Sequence, residues 1–102
     1  MAAPDPHVRA HGEVALGTLD GLQADGSAET KKQLDEALRQ LVVMRDKLIK
    51  ADREGRPADD WLARTNGIIS SLFGTEFPKG GLQWQRVCES REALRALLKN
   101  GS

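Results

Sequence analysis

The chain has 102 residues, which is enough for one small domain. It carries 15 basic and 15 acidic side chains, so its net charge is zero and gives no general attraction to nucleic acid or membranes. No apolar run approaches the roughly 20 residues that span a bilayer, and residues 1–13 lack the apolar segment of a secretory signal. Because Cys88 is the only cysteine, no internal disulfide can form, and we expect a cytoplasmic protein.

The first 26 residues differ in composition from the rest of the chain. They contain Pro4, Pro6 and several glycines, and their charged side chains are mostly acidic. This composition predicts a flexible N-terminal arm at 1–26. A few apolar side chains are also present, and they would be enough for a short docked segment at 14–22.

Three helical patterns follow and predict an all-α fold, a small three-helix bundle that occupies residues 27–100. The predicted helices are 28–54, 58–73 and 82–99. Gly55 offers the left-handed conformation that ends many helices, and Pro57 prevents the first helix from continuing. The terminal residues 101–102, Gly-Ser, are interpreted as a remnant of an expression vector.

The first predicted helix is longer than its two companions. At 1.5 Å per residue it spans about 40 Å, whereas the others span about 25 Å each. The short connection through Gly55 and Pro57 folds the second helix back along the end of the first, so cover should run short around Leu34, Leu38 and Leu41. Either the N-terminal segment or a second protein chain could cover these leucines, and the sequence leaves both arrangements open.

Two arginines interrupt apolar helix faces. At about 100° per residue, Arg45 falls among the leucines of the long helix, and Arg91 falls among the apolar residues of the last helix. Each could rest its aliphatic stem on the core with its charge at the edge, or could contact a partner. The predicted partner-binding residues are therefore Leu34, Leu38, Leu41, Arg45 and Arg91.

Residues that could support catalysis are scarce. After residue 26 the chain contains neither histidine nor tyrosine, and an active site needs an acid, base, nucleophile or metal held on rigid elements. His7 and His11 are four residues apart, but no third and fourth metal ligands accompany them. Cys88 lies on an apolar helix face with no neighbouring base. We therefore expect no enzyme, no cofactor, no metal and no small-molecule ligand.

Two functions are consistent with these patterns. The first is a small helical protein–protein interaction module, with a protein partner or a second copy in a homodimer. The alternative is a nucleic-acid-binding regulator that uses the basic edge of the last helix. That edge consists of Arg86, Arg91, Arg95 and Lys99. Glu89 and Glu92 interrupt it and the chain has no net positive charge, so nucleic acid is the less favoured partner.

Overall fold

The computed structural model describes residues 6–22, 28–73 and 84–100, and these residues form four α-helices and no strand. The helices are α1 (Pro6–Asp20), α2 (Ala28–Arg53), α3 (Asp59–Phe73) and α4 (Trp84–Asn100). The all-α prediction is confirmed. The prediction of three helices is wrong, because a further helix, α1, lies where the composition predicted a flexible arm. Residues 1–5 and 23–26 of that arm, the predicted start of the last helix at 82–83, and residues 101–102 lie outside the described residues.

The helix α1 forms because its apolar side chains share one face. Three or four residues separate most of them, which is the helical spacing. The buried apolar side chains of this segment are Val8, Ala15, Leu19 and Leu22. Gly12 lies on the same face, and a Cβ atom there would be 2.9 Å from Leu98 Cδ2 and 3.4 Å from Met44 Sδ. The glycine therefore allows α1 to approach its neighbours closely, whereas in the sequence it indicated flexibility.

The turn after α2 follows the sequence prediction. Gly55 has a φ of 81°, the left-handed conformation that glycine adopts without strain. Its N–H donates to the carbonyl oxygen of Asp52 at 3.1 Å, and the N–H of Arg56 donates to that of Ala51 at 2.9 Å. These two bonds form a Schellman motif, which satisfies carbonyl groups at the helix end. The short connection makes α3 return antiparallel to α2.

Each helix packs against two neighbours, in the cyclic order α1, α2, α3, α4 and back to α1. In the diagonal pairs of described helices, α1 with α3 and α2 with α4, no two Cα atoms lie within 8 Å of each other. The guanidinium of Arg9, near the start of α1, donates to the carbonyl oxygen of Leu98, near the end of α4, at 2.7 Å. These two helices are therefore antiparallel as well. Every helix occupies one corner of the bundle and has one face turned outward.

The cover that the long helix needs comes from the same chain. Leu34, Leu38 and Leu41 are only 1%, 5% and 0% exposed. Of the packed helix pairs, α1 with α2 makes the most extensive contact. The bundle measures 44 × 21 × 18 Å, so its length is close to the roughly 39 Å of α2 itself. Of the two arrangements that the sequence left open, the structure has the intramolecular one.

Candidate interaction surface

The outward face of α3 carries a line of small side chains. Its buried face carries Trp61, Thr65, Ile68, Ile69 and Leu72. On the opposite side Ala63, Gly67 and Ser70 are exposed and three or four residues apart, so they follow one line along the helix. A Cβ atom built on Gly67 would meet no atom within 4 Å. Because the side chains at a contact set the distance between packed helices, another helix could approach this face closely.

A groove of about 290 Å³ lies beside this face, between α3 and α4. Its lining residues are Arg64, Gly67, Ile68, Ser71, Glu89, Ser90 and Ala93. The small residues Gly67, Ser71 and Ala93 leave space where larger side chains would close the contact between the helices. Sites for drug-sized molecules have volumes of about 300–1,000 Å³. The groove is therefore at the lower end of this range, a size that one large side chain of a partner can also occupy.

The wall of the groove contains a buried hydroxyl group. Ser90 is 2% exposed, and its Oγ has no hydrogen-bond partner among the described residues. Leaving a buried polar group unpaired costs about 1–3 kcal/mol. Trp61 Nε1 and Thr65 Oγ1 are also unpaired within the described part of the chain, but neither residue lines the groove. Of the three residues, Ser90 is the one that lines the groove.

The two flanks of α3 differ in chemistry. At about 100° per residue, Phe73 and Asp59 fall on the flank toward α2, and Phe73 is 51% exposed. The carboxyl of Asp59 raises the pKa of Asp52 on α2 above its usual 3.8, first through a hydrogen bond between the two groups and then through charge repulsion. On the flank toward α4, Arg64 Nη1 lies 3.6 Å from Asp60 Oδ2. One flank therefore carries an acidic pair and an aromatic ring, and the other carries a cation and the groove.

The predicted partner-binding residues lie elsewhere. Leu34, Leu38 and Leu41 are in the core, so the folded bundle does not offer them to a partner while α1 is in place. Arg45 lies half-buried at the bundle edge, with its Nη2 atom 3.5 Å from Asp46 Oδ1. That position matches the reading in which the stem rests on the core and the charge reaches the edge.

Arg91 pairs with acidic side chains of its own chain. Its Nε lies 3.0 Å from Glu92 Oε2 and 3.8 Å from Asp20 Oδ1, and the hydrogen bond to Glu92 is the main cause that raises the pKa of Arg91. Arg95 Nη2 lies 2.7 Å from the same Asp20 oxygen. Both arginines thus connect α4 to the end of α1. A phosphate would have to compete with these carboxylates, and nucleic-acid binding at this edge stays a prediction.

The described residues offer little for chemistry at a metal or a nucleophile. They contain no group of three or more metal-ligating side chains. The Nδ1 atom of His11 is 2.7 Å from Gln40 Oε1, in a contact between α1 and α2. Cys88 is a half-buried free thiol. None of the described helices combines the length and the apolar character needed to cross a membrane.

Comparison with known protein families, with curated proteins and with solved structures finds no match to this chain. Function is therefore inferred from the surface itself.

The residues of the α3 surface were not among those predicted from the sequence. Neither Gly67 nor Phe73 is among the predicted partner-binding residues. The spacing of Ala63, Gly67 and Ser70 was a usable signal, because it places three small residues on one exposed line. No sequence pattern around Ser90 indicates that it lines a groove, because that position results from the packing of α4 against α3.

Proposed function

We propose that this chain is a protein–protein interaction module whose contact surface is the outer face of α3 together with the groove between α3 and α4. The observation that carries the proposal is the groove, which is open at Gly67 and has the unpaired Ser90 hydroxyl in its wall. The module binds and does not catalyse, and it needs no cofactor. We place it in the cytoplasm because the lone Cys88 suits a reducing compartment.

A helix of the partner is the element that this surface fits best. The line of Ala63, Gly67 and Ser70 lets a second helix lie close to α3, and a side chain of that helix can enter the groove. The half-exposed ring of Phe73 lies beside the same face. Aromatic residues are frequent among those that contribute most of the binding energy of an interface. These features support a helical partner that approaches α3.

The proposal moves the contact away from the leucines of α2. Leu34, Leu38 and Leu41 were predicted partner contacts because the long helix needed cover, and α1 now supplies that cover. A partner could reach them only by displacing α1, which would expose several buried apolar side chains. Contacts at Arg45 and Arg91 remain predictions, and neither residue lines the groove.

Site-specific photocrosslinking tests the proposal in cells that produce the full chain. A photoreactive phenylalanine analogue replaces Phe73 on α3 or, as a control, Arg39 on the outer face of α2. Both positions are exposed in a helix, so neither replacement should disturb the fold. We expect a crosslinked product from position 73 and little from position 39.

A second substitution links that product to the groove. Gly67→Leu places a large side chain where open space now exists, so the crosslink from position 73 should be lost while circular dichroism remains helical. Equal yields from positions 73 and 39, or no product from position 73, would contradict the proposed function.

A further inference from the structure

The two flanks of α3 complement each other near the C-terminal end of the helix. Phe73 lies on the flank toward α2, whereas Ser71 lines the groove on the flank toward α4. The two residues differ in level by only about 3 Å along the helix axis. Phe73 cannot reach the groove of its own molecule, because α3 itself lies between them. The ring and the groove could meet only between two molecules.

A second complementarity lies near the N-terminal end of α3. Asp59 and Asp52 form an acidic pair on the α2 flank, and the hydrogen bond between the two carboxyl groups, followed by their charge repulsion, raises the pKa of Asp52. Arg64 lies on the opposite flank, and its guanidinium points back along the helix to within 3.6 Å of Asp60. Asp60 and Asp59 are adjacent, about 1.5 Å apart in level. The cation and the acidic pair are therefore at nearly the same level on opposite flanks.

A single symmetry operation can bring Phe73 to the groove and Arg64 to the acidic pair, each between two copies of the chain. A rotation of 180° about an axis parallel to α3 keeps each residue at its level and exchanges the two flanks, as in the self-complementary contact of a two-fold dimer. Phe73 of each copy then faces the groove of the other, and Arg64 faces the pair of Asp52 and Asp59. A two-fold axis perpendicular to α3 would place each flank against the same flank and would leave the groove empty.

We infer that the partner is a second copy of this chain, paired through parallel α3 helices around a two-fold axis, with each Phe73 ring in the groove of the other copy. This inference rests on the proposed function and names the partner of that same surface. Ala63 and Ser70 then face their own counterparts across the axis. Their small side chains let the two helices approach, and Arg64 extends from Asp60 of its own helix toward the acidic pair of the other copy.

Disulfide crosslinking tests the arrangement directly. In a Cys88→Ser background, Ala63→Cys and Ser70→Cys each introduce one thiol on the outer face of the full chain. A disulfide forms when two Cα atoms are about 4.4–6.8 Å apart. Parallel pairing brings each position close to its own counterpart, so each variant alone should give a disulfide-linked dimer on mild oxidation. We expect much more dimer than from the control Arg39→Cys on α2, because pairing holds the two thiols at a high effective concentration.

The pattern of crosslinks separates the possible outcomes. If disulfides form only when the Ala63→Cys and Ser70→Cys variants are mixed, the helices are antiparallel and the inference is overturned. If neither variant crosslinks while the photoreactive residue at position 73 captures a different protein, the second copy is excluded and the proposed function stands. If both experiments give no product, both are wrong.

The ring in the groove is tested by sedimentation of matched variants. Phe73→Ala should weaken self-association roughly ten-fold, because an aromatic side chain in a pocket is a typical centre of binding energy. Val14→Ala is the control, since Val14 is the exposed apolar residue of α1, at 54% exposure, and lies away from α3. An unchanged dissociation constant in Phe73→Ala would overturn the inference.

Discussion

The helix α4 packs against α1 on one side and against α3 on the other, and the two contacts are built differently. On the α1 side, Gly12 has Leu98 within 2.9 Å of the position a Cβ would take, and Asp20 binds Arg95 at 2.7 Å. On the α3 side, Gly67 faces open space and the Ser90 hydroxyl is unpaired. A glycine within a helix can thus allow close packing, as Gly12 does, or leave open space, as Gly67 does. The position of the neighbouring helix determines which of the two occurs.

The largest expected effect tests whether α1 is tightly packed into the bundle, as its contact with α4 indicates. Leu19 is fully buried in α1, so Leu19→Ala should lower the free energy of unfolding by about 2–5 kcal/mol, through lost burial and the cavity left behind. Val14→Ala, on the exposed side of the same helix, should change it by about 0.5 kcal/mol or less. Urea denaturation measures both. Equal, small effects would mean that α1 is not part of the cooperative core.

A smaller effect tests the cost of the unpaired hydroxyl groups. Ser90→Ala should raise the free energy of unfolding by about 1 kcal/mol, because it removes a buried unpaired hydroxyl. It should leave association unchanged, because the Phe73 ring offers no polar atom to that hydroxyl. Thr65→Val removes a buried unpaired hydroxyl of α3 that does not line the groove, and it should stabilise the chain in the same way. Weaker association of the Ser90→Ala variant would show that a polar group occupies the groove and would contradict the Phe73 ring as its occupant.

Alanine substitutions at three glycines provide the next test. The free energy of unfolding is measured at a protein concentration low enough that sedimentation shows only the monomer. Gly67→Ala and Gly17→Ala should each raise the free energy of unfolding by about 0.5–1 kcal/mol, because alanine favours helix and neither new Cβ meets an atom within 4 Å. Gly12→Ala should gain less or lose stability, since Leu98 must move. If Gly12→Ala stabilises as much as Gly17→Ala, the close contact of α1 with α4 is not real.

The smallest expected effect concerns the acidic pair at the start of α3. Because the folded pKa of Asp52 is raised, the folded chain holds a proton more tightly than the unfolded chain, and stability falls as the pH rises through the folded pKa. Asp52→Asn should therefore raise the melting temperature slightly at pH 7. The difference should disappear below the usual carboxyl pKa of 3.8, where both forms are uncharged. A stabilisation that is independent of pH would contradict repulsion as its cause.

The sequence predicted α2, α3 and α4 because their apolar residues recur at helical spacing and because Gly55 and Pro57 mark a helix end clearly. It did not predict α1, because Pro6, Gly12 and Gly17 are typical of loops. The spacing of the buried residues in α1 was present in the sequence. This spacing indicates a stable helix only if a neighbouring helix covers the apolar face, and the presence of that neighbour is a property of the folded chain.

The groove between α3 and α4 could not be predicted from the sequence for a similar reason. Its volume depends on how far apart the backbones of α3 and α4 lie at Gly67 and Ala93, and no local pattern determines that distance. The sequence did indicate that the long helix needed cover, although it could not choose between α1 and a second chain. The surface now proposed for a second chain lies on α3 instead.

Amide hydrogen exchange at two protein concentrations tests the central claim most directly, because it reports which helix a second chain covers. At the higher concentration, the amides of α3 (Asp59–Phe73) should exchange more slowly, while those of α1 (Pro6–Asp20) should be unchanged. Exchange in α3 that does not depend on concentration, or new protection confined to α1, would contradict the account.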